Sequence, residues 1–265
     1  MAGHHRWDAL SAPELDALVD DRTVAVLPVA AVEQHGGHLP LATDVIIGEG
    51  LLAAALARSV GRAGTVLILP TLAIGSSLEH TAFSGTLSLA PETAIAVIES
   101  IGTSVARAGI RRLLIFNSHG GNKAVIDIAA LKLRAAQRML VVKANYFRFA
   151  PPADALPARE LAHGLHGGAL ETSLMLHFAP DQVRVDRLED AQSLGATRAD
   201  VGATLGPEGD AGFAWMAQDL HASGVTGNAR LASAEQGARL SAHFAARLAT
   251  LIDEASTFEL DALND

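Results

Sequence analysis

Four short runs of consecutive apolar residues recur along the chain, and stretches with helical periodicity separate them. The runs cover residues 24–29, 66–70, 113–117 and 140–146. They are continuously apolar rather than alternating, which is typical of strands covered on both faces of a parallel sheet. Strands that alternate with helices in this way indicate βαβ units. The pattern therefore predicts an α/β fold built around a mainly parallel sheet.

Apolar residues between these runs recur at three- and four-residue steps, as they do on the buried face of a helix. Ala94, Ile98, Ile101 and Val105 form one such stripe. Further helices are predicted over residues 46–60, 123–138, 168–178 and 234–255. Residues 150–159 and 191–212 read as irregular loops that are neither long nor polar enough to separate two cores. We therefore predict one domain over residues 1–265.

The composition excludes several kinds of functional site. The chain has no cysteine, which excludes disulfides, thiolate zinc sites and a cysteine nucleophile. It has 11 histidines, so nitrogen and oxygen atoms must hold any bound metal, which favours zinc, manganese or iron. The net charge of −9 argues against a nucleic-acid partner, because affinity for phosphate backbones comes from clustered lysine and arginine.

The lengths of the apolar runs also indicate where in the cell the protein lies. The most apolar run, residues 24–32, is about half the length needed to cross ~30 Å of hydrocarbon. The first residues do not combine a basic segment with an apolar one, so no export signal is predicted. We expect a cytoplasmic protein with no membrane partner.

A first group of polar residues follows the first predicted strand. Glu33 and His35 point to the same side of an extended segment, because side chains alternate with period two. Asp44 comes where the chain turns into the next helix, so its carboxylate can reach the same space. Taken singly, Asp44 is equally explained as a helix cap and His35 as a hydrogen-bonded loop residue.

A second group, Asn-Ser-His-Gly-Gly-Asn at residues 117–122, follows the third predicted strand. Its glycines let the backbone approach a ligand at a helix N-terminus, which makes Gly120 a candidate substrate contact. The alternative is an anion-binding loop in which His119 takes no part. The chain contains neither a P-loop nor a G-x-G-x-x-G motif, so the pattern gives little support for a nucleotide site.

A third group lies at residues 163–173. Glu171 has apolar neighbours on both sides, and a buried carboxylate there needs a cation or a proton. The alternative is that Glu171 lies on the exposed side of its helix. The loop after the second strand carries Ser77 and His80, which suit a substrate pocket and equally suit an ordinary loop.

These groups follow the carboxyl ends of successive strands, where open α/β sheets bind ligands. Their convergence would place five metal ligands in one crevice: Glu33, His35, Asp44, His119 and Glu171. Three carboxylates carry −3 and two divalent ions carry +4, so one bridging hydroxide would bring the site to neutrality. Metal binding lowers the pKa of water from 15.7 toward ~7, which supplies this nucleophile at neutral pH.

Four motifs resemble those of the creatininase (creatinine amidohydrolase) family, in its His-Gly-Gly-Asn branch, with matching order and spacing between residues 24 and 180. They are Glu33-Gln34-His35-Gly36-x-His38-Leu39-Pro40-x-x-x-Asp44, Phe83-x-Gly85-Thr86-x-Ser88-Leu89, Asn117-x-His119-Gly120-Gly121-Asn122 and His166-Gly167-Gly168-x-x-Glu171-Thr172-Ser173. The resemblance implies a three-layer αβα fold, two metal ions (zinc, manganese or iron), hydrolysis of an amide-type C–N bond and a homo-oligomer, often a hexamer.

The resemblance also implies that Glu33, Asp44 and His119 hold one ion, while His35 and the bridging Asp44 hold the other. Creatininase takes a further ligand from a glutamate at the position of Gly121, and we expect Glu171 to replace it here. Creatininase also carries Trp-Asp-x-Glu immediately before the histidine that matches His166. This chain has Ala-His-Gly-Leu at residues 162–165, which makes creatinine an unsuitable substrate.

The sequence therefore predicts a metal-dependent amidohydrolase of a small-molecule amide other than creatinine, with a formamide deformylase and a peptidase of the mycofactocin precursor as candidate activities. His166 is the expected proton donor to the leaving nitrogen, because imidazole titrates near neutral pH, and His163 is the reserve. Ser77, His80, Gly120 and His163 are the expected substrate contacts. The rival interpretation is a metal-binding or regulatory relative without activity. A serine hydrolase is disfavoured because no G-x-S-x-G motif occurs.

Overall fold

A computed structural model describes residues 3–58, 64–209 and 211–263. Its main sheet has five strands: β1 (His4–Arg6), β2 (Val24–Val29), β3 (Val66–Ile68), β4 (Arg112–Asn117) and β5 (Leu140–Asn145). Their order is β1-β3-β2-β4-β5, and every neighbouring pair is parallel. The predicted parallel sheet is therefore confirmed.

Nine helices accompany this sheet in the described residues. They are α1 (Ala12–Leu18), α2 (Thr43–Arg58), α3 (Pro91–Arg107), α4 (Lys123–Gln137), α5 (Ala158–His163), α6 (Ala169–Phe178), α7 (Leu194–Asp200), α8 (Ala217–Leu220) and α9 (Ala234–Thr257). Short strand pairs complete the described fold: β6 (Asp190–Ala191) with β9 (Gly227–Asn228), and β7 (Leu205–Gly206) with β8 (Ala211–Gly212).

The central strands are buried on both faces because alternate residues enter two separate cores. Val26 and Phe116 pack with α2, α6 and α9 on one face. Leu27 and Ile115 pack with α3 and α4 on the other. Parallel strands in such a sandwich have no polar face, which explains the uninterrupted apolar runs. The three-layer arrangement follows from this packing.

Three parts of the sequence interpretation need correction. The edge strand β1 and helix α1 were not predicted. Strand β1 is short, polar and largely exposed, and α1 has no buried residue, so neither element has a clear apolar pattern. Residues 191–212 are not wholly irregular, since α7 begins there after Ser193, whose hydroxyl accepts a hydrogen bond from Ala196 N–H. Helix α2 begins at Thr43, so Asp44 lies within its first turn rather than capping it. The predicted end of this helix, at residue 60, lies outside the described residues.

Helix α6 packs closely against α9, and this contact positions the third group of polar residues, at 163–173, relative to the sheet. Gly237 of α9 faces Ser173 so closely that an added Cβ would lie 1.9 Å from the Ser173 carbonyl oxygen. Only glycine fits this approach of two backbones. No described helix is both long enough and apolar enough to cross a membrane.

Candidate metal centre

The loop after β2 carries two fully buried polar side chains, Glu33 and His35. His35 Nδ1–H donates to the Glu33 carbonyl oxygen at 3.1 Å, because a carbonyl can only accept. The proton on Nδ1 leaves the lone pair of His35 on Nε2. That Nε2 lies 3.5 Å from Asp44 Oδ1. The sequence spacing and the start of α2 thus bring these three side chains together.

His119 reaches the same space from the loop after β4. The Asn117 side chain holds this loop, accepting from the His119 N–H and donating to the His119 carbonyl oxygen. His119 Nδ1 then lies 3.1 Å from Glu33 Oε1 and 3.4 Å from Asp44 Oδ2. Its other nitrogen, Nε2, donates to the Ser76 carbonyl oxygen at 3.0 Å. The two oxygens of Asp44 therefore face two different histidines.

The third group approaches from the start of α6. Glu171 Oε2 accepts from the Gly167 N–H at 2.6 Å and lies 3.9 Å from His35 Nε2. His166 Nε2–H donates to the Gln34 carbonyl oxygen at 2.7 Å, which turns His166 Nδ1 toward Glu33 Oε1 at 3.7 Å. All five predicted ligands and His166 therefore line one crevice.

His80 completes a stack of imidazole rings in this crevice. The ring centres of His35 and His166 lie 4.1 Å apart, as do those of His166 and His80. Gln34 Nε2 lies 2.9 Å from His80 Nδ1 and can donate to it, while His80 Nε2 lies 3.5 Å from Glu33 Oε1. Gln34 belongs to the first motif but was given no role, since nothing in its neighbourhood along the chain predicts this contact.

The donor atoms of the cluster fit a cation. Among the described residues, six buried side-chain atoms lack a hydrogen-bond partner, and four of them lie here: Glu33 Oε1, Glu33 Oε2, His35 Nε2 and Asp44 Oδ2. Buried polar atoms without a partner are costly in a protein interior. Three sets of residues bring ligand atoms within 4.8 Å of one another, namely Glu33–His35–Asp44, Glu33–His80–His166 and His35–His166–Glu171. Carboxylate oxygen and imidazole nitrogen are the donors that zinc, manganese and iron accept.

The charges of the cluster divide its histidines into two kinds. Burial opposes the charged form of His35, but Asp44 and Glu171 overcome this effect and raise its pKa to about 9. Burial likewise opposes the charged form of His119, yet Glu33 and Asp44 hold its pKa well above the ordinary value. Carboxylates surround these two rings, and their negative charges favour a positive charge at the ring over the neutral imidazole.

His80 and His166 belong to the other kind. Burial lowers the pKa of His80 to about 4. Burial, together with the neighbouring His35 and His80, places the pKa of His166 well below its ordinary value. Burial also raises the pKa of Glu171 to about 6. The crevice therefore keeps two imidazoles neutral beside two that attract positive charge.

The remaining predicted residues are placed as follows. Ser77 Oγ lies 3.3 Å from His119 Nε2, at the edge of the cluster. Gly120 is exposed beside His119. His163 lines a separate cavity of about 290 Å³ with Arg159, Glu160 and Asp190, and the lining of this cavity includes no residue of the cluster. His163 was expected to be a substrate contact and the reserve proton donor because it lies close to His166 in sequence, but it lines this other cavity.

One acidic residue near the cluster was not predicted. Glu79 Oε1 lies 3.5 Å from His119 Nε2, on the side of the ring away from Glu33. Burial raises the pKa of this carboxyl. The signal available in the sequence was the position of Glu79 between Ser77 and His80, both of which had been singled out.

Comparison with known proteins places this geometry in a family. The Creatininase family model, described as creatinine amidohydrolase, matches residues 8–252. The chain is 31% identical over 220 residues to the mycofactocin precursor peptide peptidase of Mycobacterium tuberculosis, covering 81% of this chain and 78% of that protein. It is 35% identical over 183 residues to the creatinine amidohydrolase of Pseudomonas putida, covering 63% of this chain and 68% of that protein.

A solved structure of a creatininase mutant in a Zn–Zn form has the same fold. Its TM-score is 0.75 at 29% identity, and the match covers 94% of this chain and 97% of that one. The family model spans most of the chain, and the fold as a whole agrees with this structural neighbour. The chain therefore belongs to the creatininase family of amidohydrolases, and with that family it is a hydrolase of carbon–nitrogen bonds.

Proposed function

We propose that this chain is a metal-dependent hydrolase of an amide-type bond, with two divalent ions held in the cluster. The observation that carries the proposal is the set of four buried donor atoms on Glu33, His35 and Asp44 that no protein group satisfies. A structural cluster of this size would be expected to pair its atoms internally. Ligand atoms of a metal centre are the exception, because the ion completes their coordination.

The ligands divide between two positions. Glu33, Asp44 and His119 form one set, in which His119 Nδ1 faces both carboxylates. His35, Asp44 and Glu171 form the other, in which His35 Nε2 faces both acids. Asp44 belongs to both sets because its two oxygens point in different directions. When bound, two divalent ions supply hydroxide at neutral pH and polarise the carbonyl oxygen of the substrate.

His166 is the residue proposed to protonate the leaving nitrogen. Its Nε2–H is engaged by the Gln34 carbonyl oxygen, so Nδ1 is the nitrogen that faces the crevice. Because burial and the neighbouring histidines keep the pKa of His166 low and the ring neutral, Nδ1 would first accept the proton that the attacking water releases and then deliver it to the leaving nitrogen. His166 also belongs to two of the possible ligand sets. Metal content therefore distinguishes the two roles of this ring, because a proton carrier can be removed without loss of an ion.

Ser77, His80 and Gly120 are proposed as substrate contacts, since they border the cluster at the loops after β3 and β4. The substrate proposed is an amide other than creatinine, because residues 162–165 offer neither the aromatic ring nor the acids of the creatininase segment. A formamide and a peptide are the two candidate classes, and the similarity to the mycofactocin precursor peptide peptidase favours the peptide. We further propose a cytoplasmic homo-oligomer, with a hexamer as the expected assembly.

The test compares two histidine variants by elemental analysis and by hydrolysis of a panel of formamides, simple amides and peptides. His119→Ala is expected to abolish turnover and to lower the metal content. His166→Ala is expected to abolish turnover while both ions remain. Full activity of His166→Ala on a substrate of the wild-type protein would show that another group donates the proton.

The alternative function is a metal-binding relative that has lost catalysis, and the residues that favour it are Gly121 and Leu165, which stand where creatininase has carboxylates. Two bound ions with no turnover across the whole panel would favour this alternative. Absence of bound metal from the wild-type protein, after purification and after incubation with Zn²⁺ or Mn²⁺, would contradict both functions.

A further inference from the structure

The side of His119 that faces away from Glu33 and Asp44 has its own set of polar groups. Nε2 donates to the Ser76 carbonyl oxygen at 3.0 Å, and Ser77 Oγ lies 3.3 Å away. Glu79 Oε1 lies 3.5 Å from the same nitrogen. Three oxygen atoms around Nε2 favour the tautomer with the proton on Nε2, and the lone pair then lies on Nδ1, the nitrogen that faces Glu33.

Glu79 reaches this position because residue 121 has no side chain. A Cβ added to Gly121 would lie 2.3 Å from Glu79 Oε1, 2.5 Å from His119 Nε2 and 2.5 Å from the Ser76 carbonyl oxygen. The adjacent Gly120 contrasts with it, because nothing lies within 4 Å of a Cβ added there. The Glu79 carboxylate thus occupies space that any other residue at position 121 would take.

We propose that Glu79 is a positioning residue: its carboxylate, admitted by Gly121, holds His119 in the metal-binding orientation and strengthens Nδ1 as a ligand. This inference rests on the metal centre of the proposed function. A negative charge beside the N–H of an imidazole makes the opposite nitrogen a better donor, and it fixes both tautomer and ring angle. Glu79 itself is expected to bind no ion, since it faces Nε2 of His119, whereas Glu33 and Asp44 face Nδ1 on the other side of the ring.

The first test measures Zn²⁺ affinity by competition with a chromophoric chelator. Glu79→Gln keeps the size of the side chain but removes its charge, and it is expected to weaken Zn²⁺ binding about 10- to 100-fold, the range found when partners of metal-bound histidines are removed. Glu79→Ala is expected to weaken it at least as much. Glu92→Gln, an exposed glutamate in the first turn of α3, is the control and should leave the affinity unchanged.

A spectroscopic measurement separates an effect on His119 from general loosening of the loop. In the Co²⁺-loaded protein, Glu79→Gln is expected to shift the visible absorption bands, because the donor strength of one ligand changes while the number of ions does not. Wild-type affinity together with a wild-type Co²⁺ spectrum in Glu79→Gln would overturn the proposal. So would loss of one of the two ions in this variant, since Glu79 would then be a ligand.

The second test uses the glycine pair and does not alter Glu79. Gly121→Ala is expected to displace Glu79 or His119 and to weaken Zn²⁺ binding at least as much as Glu79→Gln. Gly120→Ala adds the same methyl group one residue away, in open space, and is expected to retain wild-type Zn²⁺ affinity. Zn²⁺ affinity and not turnover is the readout, because Gly120 is proposed to contact the substrate. Equal affinities of the two alanine variants would overturn the proposed role of Gly121.

These outcomes are distinct from failure of the proposed function. If the wild-type protein binds no divalent ion, the metal centre itself is wrong and no variant need be made. If the wild-type protein binds two ions and Glu79→Gln binds them equally well, the metal centre stands and only the role of Glu79 is wrong.

Discussion

Glu33 and Glu160 are both buried glutamates, yet their surroundings are opposite. Neither oxygen of Glu33 has a hydrogen-bond partner, and the groups around it are imidazoles. Glu160 Oε1 accepts from the Ala169 N–H at 2.7 Å, and Oε2 accepts from the Asn228 N–H at 2.8 Å. One carboxylate is left without donors, and the other is fully engaged by the backbone.

The difference distinguishes a carboxylate that is available to bind a ligand, Glu33, from one that stabilises the fold, Glu160. Glu160 joins α5, the start of α6 and the strand β9, and glycines at positions 164, 168 and 227 leave room for its side chain. A negative charge at the N-terminus of α6 also complements the helix dipole. Burial alone would have ranked the two glutamates together, whereas the donors around their oxygens assign them different roles.

The largest expected effect comes from Glu33→Gln. The amide keeps the shape of the side chain but lacks the negative charge of a metal ligand. Turnover is therefore expected to fall more than about 100-fold, which exceeds the loss found when a residue that only hydrogen-bonds a metal ligand is replaced. The rise in stability that metal gives the wild-type protein, about 2.7 kcal/mol at 100 times the Kd, should be largely lost. Thermal unfolding with and without Zn²⁺ measures this difference directly.

The control for this prediction is Glu160→Gln, which is expected to keep the metal-dependent rise. If Glu33→Gln is stabilised by Zn²⁺ as strongly as the wild-type protein, Glu33 is not a ligand. The unpaired oxygens would then need another explanation.

The sequence predicts the central fold well, for a physical reason that can be seen in β2 and β4. Both strands are covered on two faces, so residues 24–29 of β2 and the four central residues of β4 are apolar and the pattern is unambiguous. The edge strand β1 is mostly exposed and carries no such requirement. Helix α7 owes its start to a single serine cap inside a glycine- and alanine-rich segment, which periodicity does not detect.

The candidate site divides in the same way. Glu33, His35 and Asp44 could be grouped from sequence because the extended loop and the helix start determine where they point. His163 and His166 are three residues apart, yet one lines the separate cavity and the other faces Glu33. Glu79 could not be assigned, because its approach to His119 depends on the absence of a side chain at position 121, far away in sequence.

An effect on stability rather than on metal binding or turnover is expected from Glu160→Ala. The change leaves the N–H groups of Ala169 and Asn228 without their acceptor, and each such buried group costs about 1–3 kcal/mol. The free energy of unfolding should therefore fall by about 2–6 kcal/mol, in the absence and in the presence of Zn²⁺ alike. Urea denaturation at both conditions measures the two values.

Glu160→Gln sharpens this prediction, because its amide oxygen can replace only one of the two acceptors and should restore part of the loss. A Zn²⁺-dependent loss of stability in Glu160→Ala, absent from the metal-free protein, would mean that Glu160 also belongs to the metal centre. The contrast with Glu33 would then be wrong.

Glu171 lies between these two extremes and gives the smallest of the three effects. Its Oε2 accepts from the Gly167 N–H at 2.6 Å, while Oε1 has only the Tyr146 hydroxyl, which donates from 3.4 Å. Glu171→Gln keeps an acceptor for Gly167, so stability should change by only about 1 kcal/mol. The metal content is expected to fall from two ions to one, since His35 and Asp44 lose their third partner.

Tyr146→Phe removes the other hydrogen-bond donor to Glu171 without changing the carboxylate and should retain both ions. Two ions in Glu171→Gln, measured by elemental analysis, would place Glu171 with Glu160 among the residues that serve the fold.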